Sequence, residues 1–188
     1  MPDSLRPETV VPLLHGRLGR EYRFVETCAS TQRLLSDDAR EGFLVATNEQ
    51  IEGRGRLGRT WAAPAGTSIL CSLRLVPAVE PARLPELSLL AGDAVAAAIA
   101  GLGLEPTVKH PNDVLLGGRK VAGILAEASE GRVALGIGVN VNQTAEELPA
   151  DASTPATSLR IELGRPVPRA PLLAAILAEL ERRYEAWR

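Results

Sequence analysis

Apolar residues recur with two periods along the chain, and each period predicts one type of element. SILCSLRL (68–75) alternates apolar with polar residues, and RVALGIGVNV (132–141) alternates large with small residues, so both predict strands. Apolar residues three and four apart predict helices over 84–100 and 170–187. The shorter predicted elements are strands at 22–26 and 43–47 and a helix over 8–18.

Glycine and polar residues indicate where these elements begin and end. Gly101 ends the first long helix, and Gly117-Gly118 between VLL and RKVAGILAEA predicts a hairpin. Ser30 is a predicted N-cap of a short helix. Residues 144–157 are predicted to be a loop, with a brief element, TSLRIEL, after it. Helices and strands mix without strict alternation, which predicts an α+β fold, a mixed β-sheet flanked by helices.

The strand over 132–141 carries small residues on one face. Ala134, Gly136 and Gly138 alternate with large apolar residues, so one face lacks bulky side chains. Glycine in a strand often marks a place where a ligand or another backbone approaches closely. On the strand over 68–75, Ser72 and Arg74 lie opposite the apolar face.

Composition and charge restrict the class of protein. The 188 residues are 45% hydrophobic with a net charge of -2, which fits one domain with a sizeable core. No apolar signal segment or membrane span is present, and the global charge indicates neither a DNA-binding nor a membrane-binding protein. We expect a cytoplasmic protein. Two cysteines and two histidines are too few for a disulfide framework or a zinc site, and Cys71 is expected in the core.

A glycine- and arginine-rich segment follows the strand at 43–47. Gly53, Gly55 and Gly58 spell the G-x-G-x-x-G pattern, but the following residues do not start the helix that a dinucleotide fold requires. A P-loop is nearly spelled too, with Arg59 in the lysine position and again no helix. The remaining interpretation of this segment is a flexible loop. Its arginines suit phosphate or carboxylate oxygens, while an exposed basic loop without a ligand stays an equal alternative.

Three polar sites in the second half of the chain each have a local explanation. Lys109-His110-Pro111-Asn112-Asp113 has the composition of a turn before a hairpin. Lys120 follows a glycine turn, where lysines are commonly solvated. It also precedes an almost uncharged stretch, so it could stand at the mouth of an apolar pocket. Asn140 ends a strand, where it could bind a ligand or form a turn.

Five segments, taken in order, resemble the motifs of the biotin–protein ligases. Order and spacing both agree, over about residues 22–180. The segments are Ser30-Thr31-Gln32, Gln50 to Trp61, Lys109 to Asp113, Arg119 to Leu125, and Gly136 to Asn140. The resemblance implies the catalytic-domain fold of the biotin/lipoate ligases, which is similar to class II synthetases. It also implies that biotin is activated with ATP and Mg²⁺ to biotinyl-5'-adenylate and transferred to a lysine of a biotin carboxyl carrier protein.

The same resemblance implies roles for individual residues. Arg56 and Lys120 are the expected catalytic residues, and Asp113 is a candidate for helping to deprotonate the acceptor amine. The expected biotin-binding residues are Ser30, Thr31, Gln32, Gln50, Gly53, Arg54, Gly55, Arg56, Lys120 and Gly123. The expected ATP-binding residues are Arg56, Arg59, Trp61, Lys109, Asn112, Asp113 and Asn140. No protein metal site is expected, because Mg²⁺ accompanies ATP.

The chain departs from the family pattern in three ways. Gln32 replaces the usual Asn, and His110 replaces the usual Trp of the Lys-Trp-Pro-Asn-Asp motif, which changes a wall of the biotin pocket. The length predicts a single catalytic domain over 1–188, without an N-terminal helix-turn-helix or the C-terminal β-barrel-like domain. A lipoate or octanoate ligase of the same fold and a non-catalytic biotin- or adenylate-binding protein remain alternatives. The sequence is compatible with a monomer or a homodimer.

Overall fold

The computed structural model describes residues 3–149 and 154–188, and these residues build one mixed sheet. Its strands are β1 (Tyr22–Cys28), β2 (Leu44–Gln50), β3 (Ser68–Leu75), β4 (Pro106–Lys109), β5 (Asp113–Leu116), β6 (Arg119–Ser129) and β7 (Arg132–Asn140). They lie in the order β1-β2-β3-β7-β6-β5-β4. The β1–β2 pair is parallel, and the other neighbouring pairs are antiparallel. The predicted α+β class and mixed sheet are confirmed.

The described residues form four α-helices, and the two long ones cover one face of this sheet. The four helices are α1 (Pro7–Val10), α2 (Glu86–Ala100), α3 (Leu159–Leu163) and α4 (Arg169–Trp187). The two long helices contact each other, α2 also contacts β4, β5 and β6, and α4 contacts β3. The core lies between them and the large residues of β3 and β7, such as Leu73 and Leu135. Cys71 is buried there, as predicted. In the two described ranges, no helix has the length and apolarity needed to cross a membrane.

Most predicted elements are confirmed with small changes of length. The helix over 84–100 begins at Glu86, and the last helix begins at Arg169. The strands at 22–26 and 43–47 extend to Cys28 and Gln50. The predicted hairpin joins β5 to β6, and its turn residues Gly117 and Gly118 have φ values of 54° and 78°. Glycine adopts such angles without the steric cost of a Cβ atom, which explains the turn.

Two predictions at the N-terminal end are wrong. The helix over 8–18 stops after α1 and a 3-10 turn at Val11–Leu13, because Pro12 has no N–H to donate and its ring clashes with an α-helical turn. Ser30 does not cap a helix. The segment forms a 3-10 turn at Gln32–Leu34 that Thr31 precedes without a side-chain cap.

The brief element predicted as TSLRIEL is α3. Ser158 is its N-cap, because the Ser158 Oγ accepts a hydrogen bond of 3.2 Å from the Ile161 N–H. The predicted loop before it contains a 3-10 turn at Ala145–Glu147. The part of that loop at 150–153 lies outside the described residues.

The second face of the sheet carries the small and polar residues of the central strands. Ser72 and Arg74 are buried there, so the polar side of β3 does not face solvent. The Arg74 Nη2 donates to the Leu35 and Ser36 carbonyls at 3.3 and 2.9 Å, which fixes the segment after β1 against this face. This face forms the floor of a cleft.

Candidate active site

Residues from all five predicted motifs line one cleft of about 950 Å³. The floor consists of β3, β6 and β7, and the walls are the turn after β1, the Gly/Arg loop (residues 53–61) and the β4–β5 turn. The lining includes Ser30, Thr31, Gln32, Gln50, Arg54, Arg56, Arg59, Trp61, Lys109, Asn112, Asp113, Lys120, Gly123 and Asn140. The fold thus brings together residues that are up to 110 positions apart in the sequence.

Glycines on the floor make room for the indole ring of Trp61. Gly123 and Gly138 are paired across β6 and β7. A Cβ atom on Gly138 would lie 2.8 Å from the Trp61 Cε2, and one on Gly123 would lie 2.9 Å from its Cζ3. The small residues predicted the close approach of a ligand or another backbone, and in the structure the side chain of Trp61 occupies this place. Gly53 accepts a hydrogen bond of 2.9 Å from the Trp61 N–H, so the loop backbone holds this ring in place.

Lys120 and Asp113 form an ion pair beside this tryptophan. The Lys120 Nζ lies 2.7 Å from the Asp113 Oδ1 and 5.6 Å from the centre of the Trp61 ring. The two side chains are 25% and 15% exposed, so water screens the pair only in part. Lys120 is therefore not a solvated turn residue. Its ammonium group lies within the cleft, close to an aromatic ring.

The turn after β1 is held by a small hydrogen-bond network. The Gln50 Oε1 accepts from the Thr31 N–H at 2.8 Å and from the Thr31 hydroxyl at 3.0 Å. The Thr31 hydroxyl is also 2.7 Å from the hydroxyl of Ser72, which is fully buried. The amide nitrogen of Gln50 makes no hydrogen bond with the residues that the structure describes. Sequence reasoning missed Ser72, although a serine within an apolar strand was a visible signal.

Gln32, the residue that replaces the usual Asn, reaches across two strands. Its Nε2 donates to the Leu125 and Ala134 carbonyls, both at 3.1 Å. A Cβ atom on Gly136 would lie 3.2 Å from the Gln32 Cδ, so this glycine makes room for the longer side chain. Both amide hydrogens are engaged, which leaves the carbonyl oxygen of Gln32 as its polar group for a ligand.

The Gly/Arg loop closes on itself, and its arginines are exposed along the wall of the cleft. A 3-10 turn spans Arg56–Gly58, and the Gly55 N–H donates to the Arg59 carbonyl at 2.7 Å. Arg54 pairs with Glu127 of β6 at 3.1 Å. Arg56 and Arg59 are exposed and make no ion pair with the described residues. Their guanidinium groups are available to an anionic ligand.

The asparagines at the other end of the cleft are largely engaged by the protein. The Asn112 Nδ2 donates to the Ile124 carbonyl at 2.9 Å. The Asn140 Nδ2 donates to the Thr157 carbonyl at 3.1 Å, and its Oδ1 accepts from the Gln143 Nε2 at 3.0 Å. Both residues therefore shape the cleft wall. Sequence reasoning missed the buried Gln143.

Lys109 and His110 lie at the exposed rim of the same end. The Lys109 Nζ is 3.5 Å from the Thr154 hydroxyl, and His110 lines the cleft where the family pattern has a Trp. Both side chains are exposed, so this wall is more open and more polar than an indole ring would make it. Over residues 3–149 and 154–188, no three His, Cys, Asp or Glu side chains gather as a metal-binding group.

Comparison with known proteins agrees with this geometry. Residues 24–143 match the profile of the Biotin/lipoate A/B protein ligase family. The chain belongs to this family. The match contains all five motifs and most of the cleft lining, and it confirms the resemblance that the motifs indicated.

Individual relatives cover different shares of the chain. A biotin–[acetyl-CoA-carboxylase] ligase of Mycobacterium tuberculosis is 38% identical over 99% of this chain and 74% of its own length. The bifunctional ligase/repressor BirA of Bacillus spizizenii is also 38% identical, over 89% of this chain and 54% of its own length. The chain therefore spans about half the length of that relative.

A solved structure supports the fold independently. The biotin protein ligase from Aquifex aeolicus in complex with biotin and ATP superimposes with a TM-score of 0.81 at 29% identity. The superposition covers 89% of this chain and 72% of that one. The expected biotin/lipoate ligase catalytic-domain fold is confirmed.

Proposed function

We propose that this chain activates biotin with MgATP to biotinyl-5'-adenylate and transfers the biotinyl group to a lysine of a biotin carboxyl carrier protein. One observation carries the proposal: all five motifs line a single cleft, in which the Lys120 ammonium group lies beside both Asp113 and the Trp61 ring. The names of the similar ligases and the biotin and ATP bound by the Aquifex relative support it.

The first step joins two anions, and the cleft offers cations for it. A biotin carboxylate oxygen attacks the α-phosphorus of ATP, and the bond to the bridging oxygen breaks, which releases pyrophosphate. The ammonium group of Lys120 and the exposed guanidinium groups of Arg56 and Arg59 offset the repulsion and stabilise negative charge at phosphorus. Magnesium is proposed to arrive bound to ATP as part of that substrate.

The two substrates bind at different ends of the cleft. Ser30, Thr31, Gln32 and Gln50 hold the biotin head group, and the loop residues Gly53, Arg54 and Gly55 close over it, with Gly123 on the floor. Trp61, Lys109, Asn112 and Asn140 lie on the nucleotide side. Glycines give the loop backbone the freedom to move over a water-sensitive adenylate.

In the second step the amine of the carrier lysine attacks the acyl carbon, and AMP leaves. The amine has a reference pKa of about 10.4, so a base has to help remove its proton. Asp113 is proposed for this task, because its carboxylate lines the cleft in which the adenylate would lie.

Several wider expectations are parts of the proposal. Residues 1–188 act as one catalytic domain in the cytoplasm. A homodimer and the absence of DNA binding stay predictions from the sequence, and the repressor role named for the Bacillus relative is not carried over. Light scattering tests the oligomeric state, and a salt-dependent DNA-binding assay tests the other expectation.

The deciding experiment measures pyrophosphate release with biotin, ATP and Mg²⁺ in the absence of an acceptor protein. Lipoate and octanoate serve as parallel substrates. We expect release that depends on biotin, with the adenylate retained by the protein. Release with lipoate alone would favour the lipoate ligase alternative, and binding of biotin without any release would favour a non-catalytic protein.

A further inference from the structure

Residues 154–158, here called the strap, lie along the start of β6 beside Lys120. The Lys120 N–H donates to the Pro155 carbonyl at 2.7 Å, and the Lys120 carbonyl accepts from the Thr157 N–H at 2.9 Å. Lys120 of β6 and Ala156 of the strap thus form an isolated parallel bridge, in addition to the strand pairs of the sheet. Both backbone polar groups of Lys120 are held by the strap.

Thr157 connects this lysine to a second cleft residue. Its N–H binds the Lys120 carbonyl, while its own carbonyl accepts from the Asn140 side-chain amide at 3.1 Å. Thr157 is fully buried, so neither bond competes with water. One residue therefore contacts both the start of β6 and the end of β7, which are neighbours in the sheet.

Glu162 of α3 holds Thr157 in this position. Its Oε1 accepts a hydrogen bond from the Thr157 hydroxyl and lies 2.8 Å from the Arg119 Nη2. The side chain of Glu162 is 16% exposed and Thr157 is fully buried, so their charge-assisted bond is shielded from water, whereas Arg119 is 45% exposed. Since Arg119 directly precedes Lys120, the carboxylate ties the helix, the strap and the start of β6 together.

We propose that Thr157 is a positioning residue for adenylation: anchored by Glu162, it fixes the backbone of Lys120 relative to the side chain of Asn140. This inference rests on the proposed function. Displacing a reacting group by about 1 Å can lower a rate by about 100-fold, so a clamp on the lysine backbone matters for turnover. The sequence showed the strap only as a loop before a brief element.

Thr157→Val tests the clamp, because valine matches threonine in shape and removes only the hydroxyl bond to Glu162. We expect roughly ten-fold faster hydrogen exchange at the Lys120 amide and a roughly ten-fold lower kcat for biotin-dependent pyrophosphate release. The biotin KM is expected to change less than kcat. Thr157→Ser keeps the hydroxyl and is expected to restore both quantities.

Glu162→Gln offers a second test that does not depend on packing at Thr157. Glutamine keeps a carbonyl oxygen for the threonine hydroxyl but loses the ion pair with Arg119, so a smaller effect in the same direction is expected. Glu179→Gln is the matched control, because Glu179 pairs with Arg182 and Arg183 on α4, far from the cleft. The control is expected to change neither readout.

The outcomes separate the two proposals. If the unaltered chain releases no pyrophosphate, the proposed function fails, and exchange at the Lys120 amide still decides whether the clamp exists. If the unaltered chain is active and Thr157→Val matches it in exchange and kcat, the positioning role is overturned. A loss of kcat that follows global unfolding, without faster local exchange at Lys120, would overturn it too.

Discussion

The two faces of the central sheet have opposite chemistry although the same strands build them. On the helix-covered face, residues such as Leu73 and Leu135 pack in a continuous core. On the cleft face of those strands lie Ser72, Gly136 and Gly138. Strand alternation assigns neighbouring residues to opposite faces, so one segment supplies both stability and access to a ligand.

The two faces differ in the kind of substitution that disturbs them. The core face is filled by large side chains against α2 and α4, so removing atoms there leaves a cavity. The cleft face has its glycines under Trp61 and Gln32, so adding atoms there causes a clash. Stability is therefore most sensitive to truncation on one face, and substrate binding to enlargement on the other.

The largest expected effect is on the cleft side, at Lys120. Lys120→Ala removes the ammonium group beside Asp113, and we expect biotin-dependent pyrophosphate release to fall by about 100- to 1,000-fold. Thermal unfolding, measured in parallel, is expected to change little. Arg165→Ala, which removes an exposed cation outside the cleft lining, is the control and keeps full activity. Full activity of the Lys120 variant would remove it from the mechanism.

The next effect tests the core face of β7. Leu135→Ala truncates a fully buried side chain and is expected to lower the free energy of unfolding by about 3 kcal/mol, measured by urea denaturation. Pyrophosphate release per folded molecule is expected to stay close to that of the unaltered chain. Leu13→Ala, at a side chain that is 38% exposed, is expected to cost far less. Equal losses for both would contradict the assignment of the core face.

Gly138→Ala tests the cleft face of the same strand. The added Cβ would lie 2.8 Å from the Trp61 Cε2, so the indole ring has to move. We expect a loss of about 1–3 kcal/mol in unfolding free energy and a raised KM for ATP. Gly92→Ala on α2, where the nearest atom is the Val108 Cγ1 at 3.3 Å, is the control and leaves the KM for ATP unchanged.

The smallest effect is a pH dependence on the core side of β3. Burial raises the pKa of the Cys71 thiol to about 12, whereas its ordinary value is 9.0. The native state keeps this proton to a higher pH than the unfolded chain does. The free energy of unfolding is therefore highest below pH 9 and falls as the pH rises from 9 toward 12. Between pH 9 and 10 the unfolding free energy is expected to fall by at most about 1.4 kcal/mol. Cys71→Ala should flatten this slope.

The cysteines also allow a direct check of the two environments. Burial raises the pKa of the half-buried Cys28 as well, yet this side chain is partly accessible at the end of β1. Iodoacetamide at pH 8 is expected to label Cys28 slowly and Cys71 only after unfolding, as mass spectrometry would show. Rapid labelling of Cys71 in the native protein would contradict its place in the core.

Local patterns were sufficient for most of the fold. The large–small alternation of β7 predicted which of its residues form the apolar face and which leave room on the opposite face. The paired glycines predicted the β5–β6 hairpin. The helix over 8–18 was wrong beyond its first turn, because apolar spacing outweighed Pro12 in the prediction. The Ser30 cap was wrong because the segment forms only a 3-10 turn at Gln32–Leu34, and Thr31 stands before it with its hydroxyl bonded to Gln50 and Ser72.

The candidate site was predictable where its residues form contiguous motifs. The order of five short segments indicated the family and named the cleft-lining residues such as Lys120 and Trp61. Thr157, Glu162 and Gln143 carry no such pattern. Their importance comes from hydrogen bonds that join distant segments, and a threonine before a short helix looks the same in the sequence whether or not it holds a lysine backbone.

The sequence by itself therefore determined most of the elements, the family and the chemical groups available to the candidate site, because strand and helix periodicity and motif spacing are local properties. Only the tertiary structure decided which partners those groups have. It placed Asp113 beside Lys120, put the Trp61 ring over Gly138 and engaged the amide of Asn140 with Thr157. Such pairings depend on strand order and on the volume left between packed segments, and neither quantity is encoded in any single stretch of the chain.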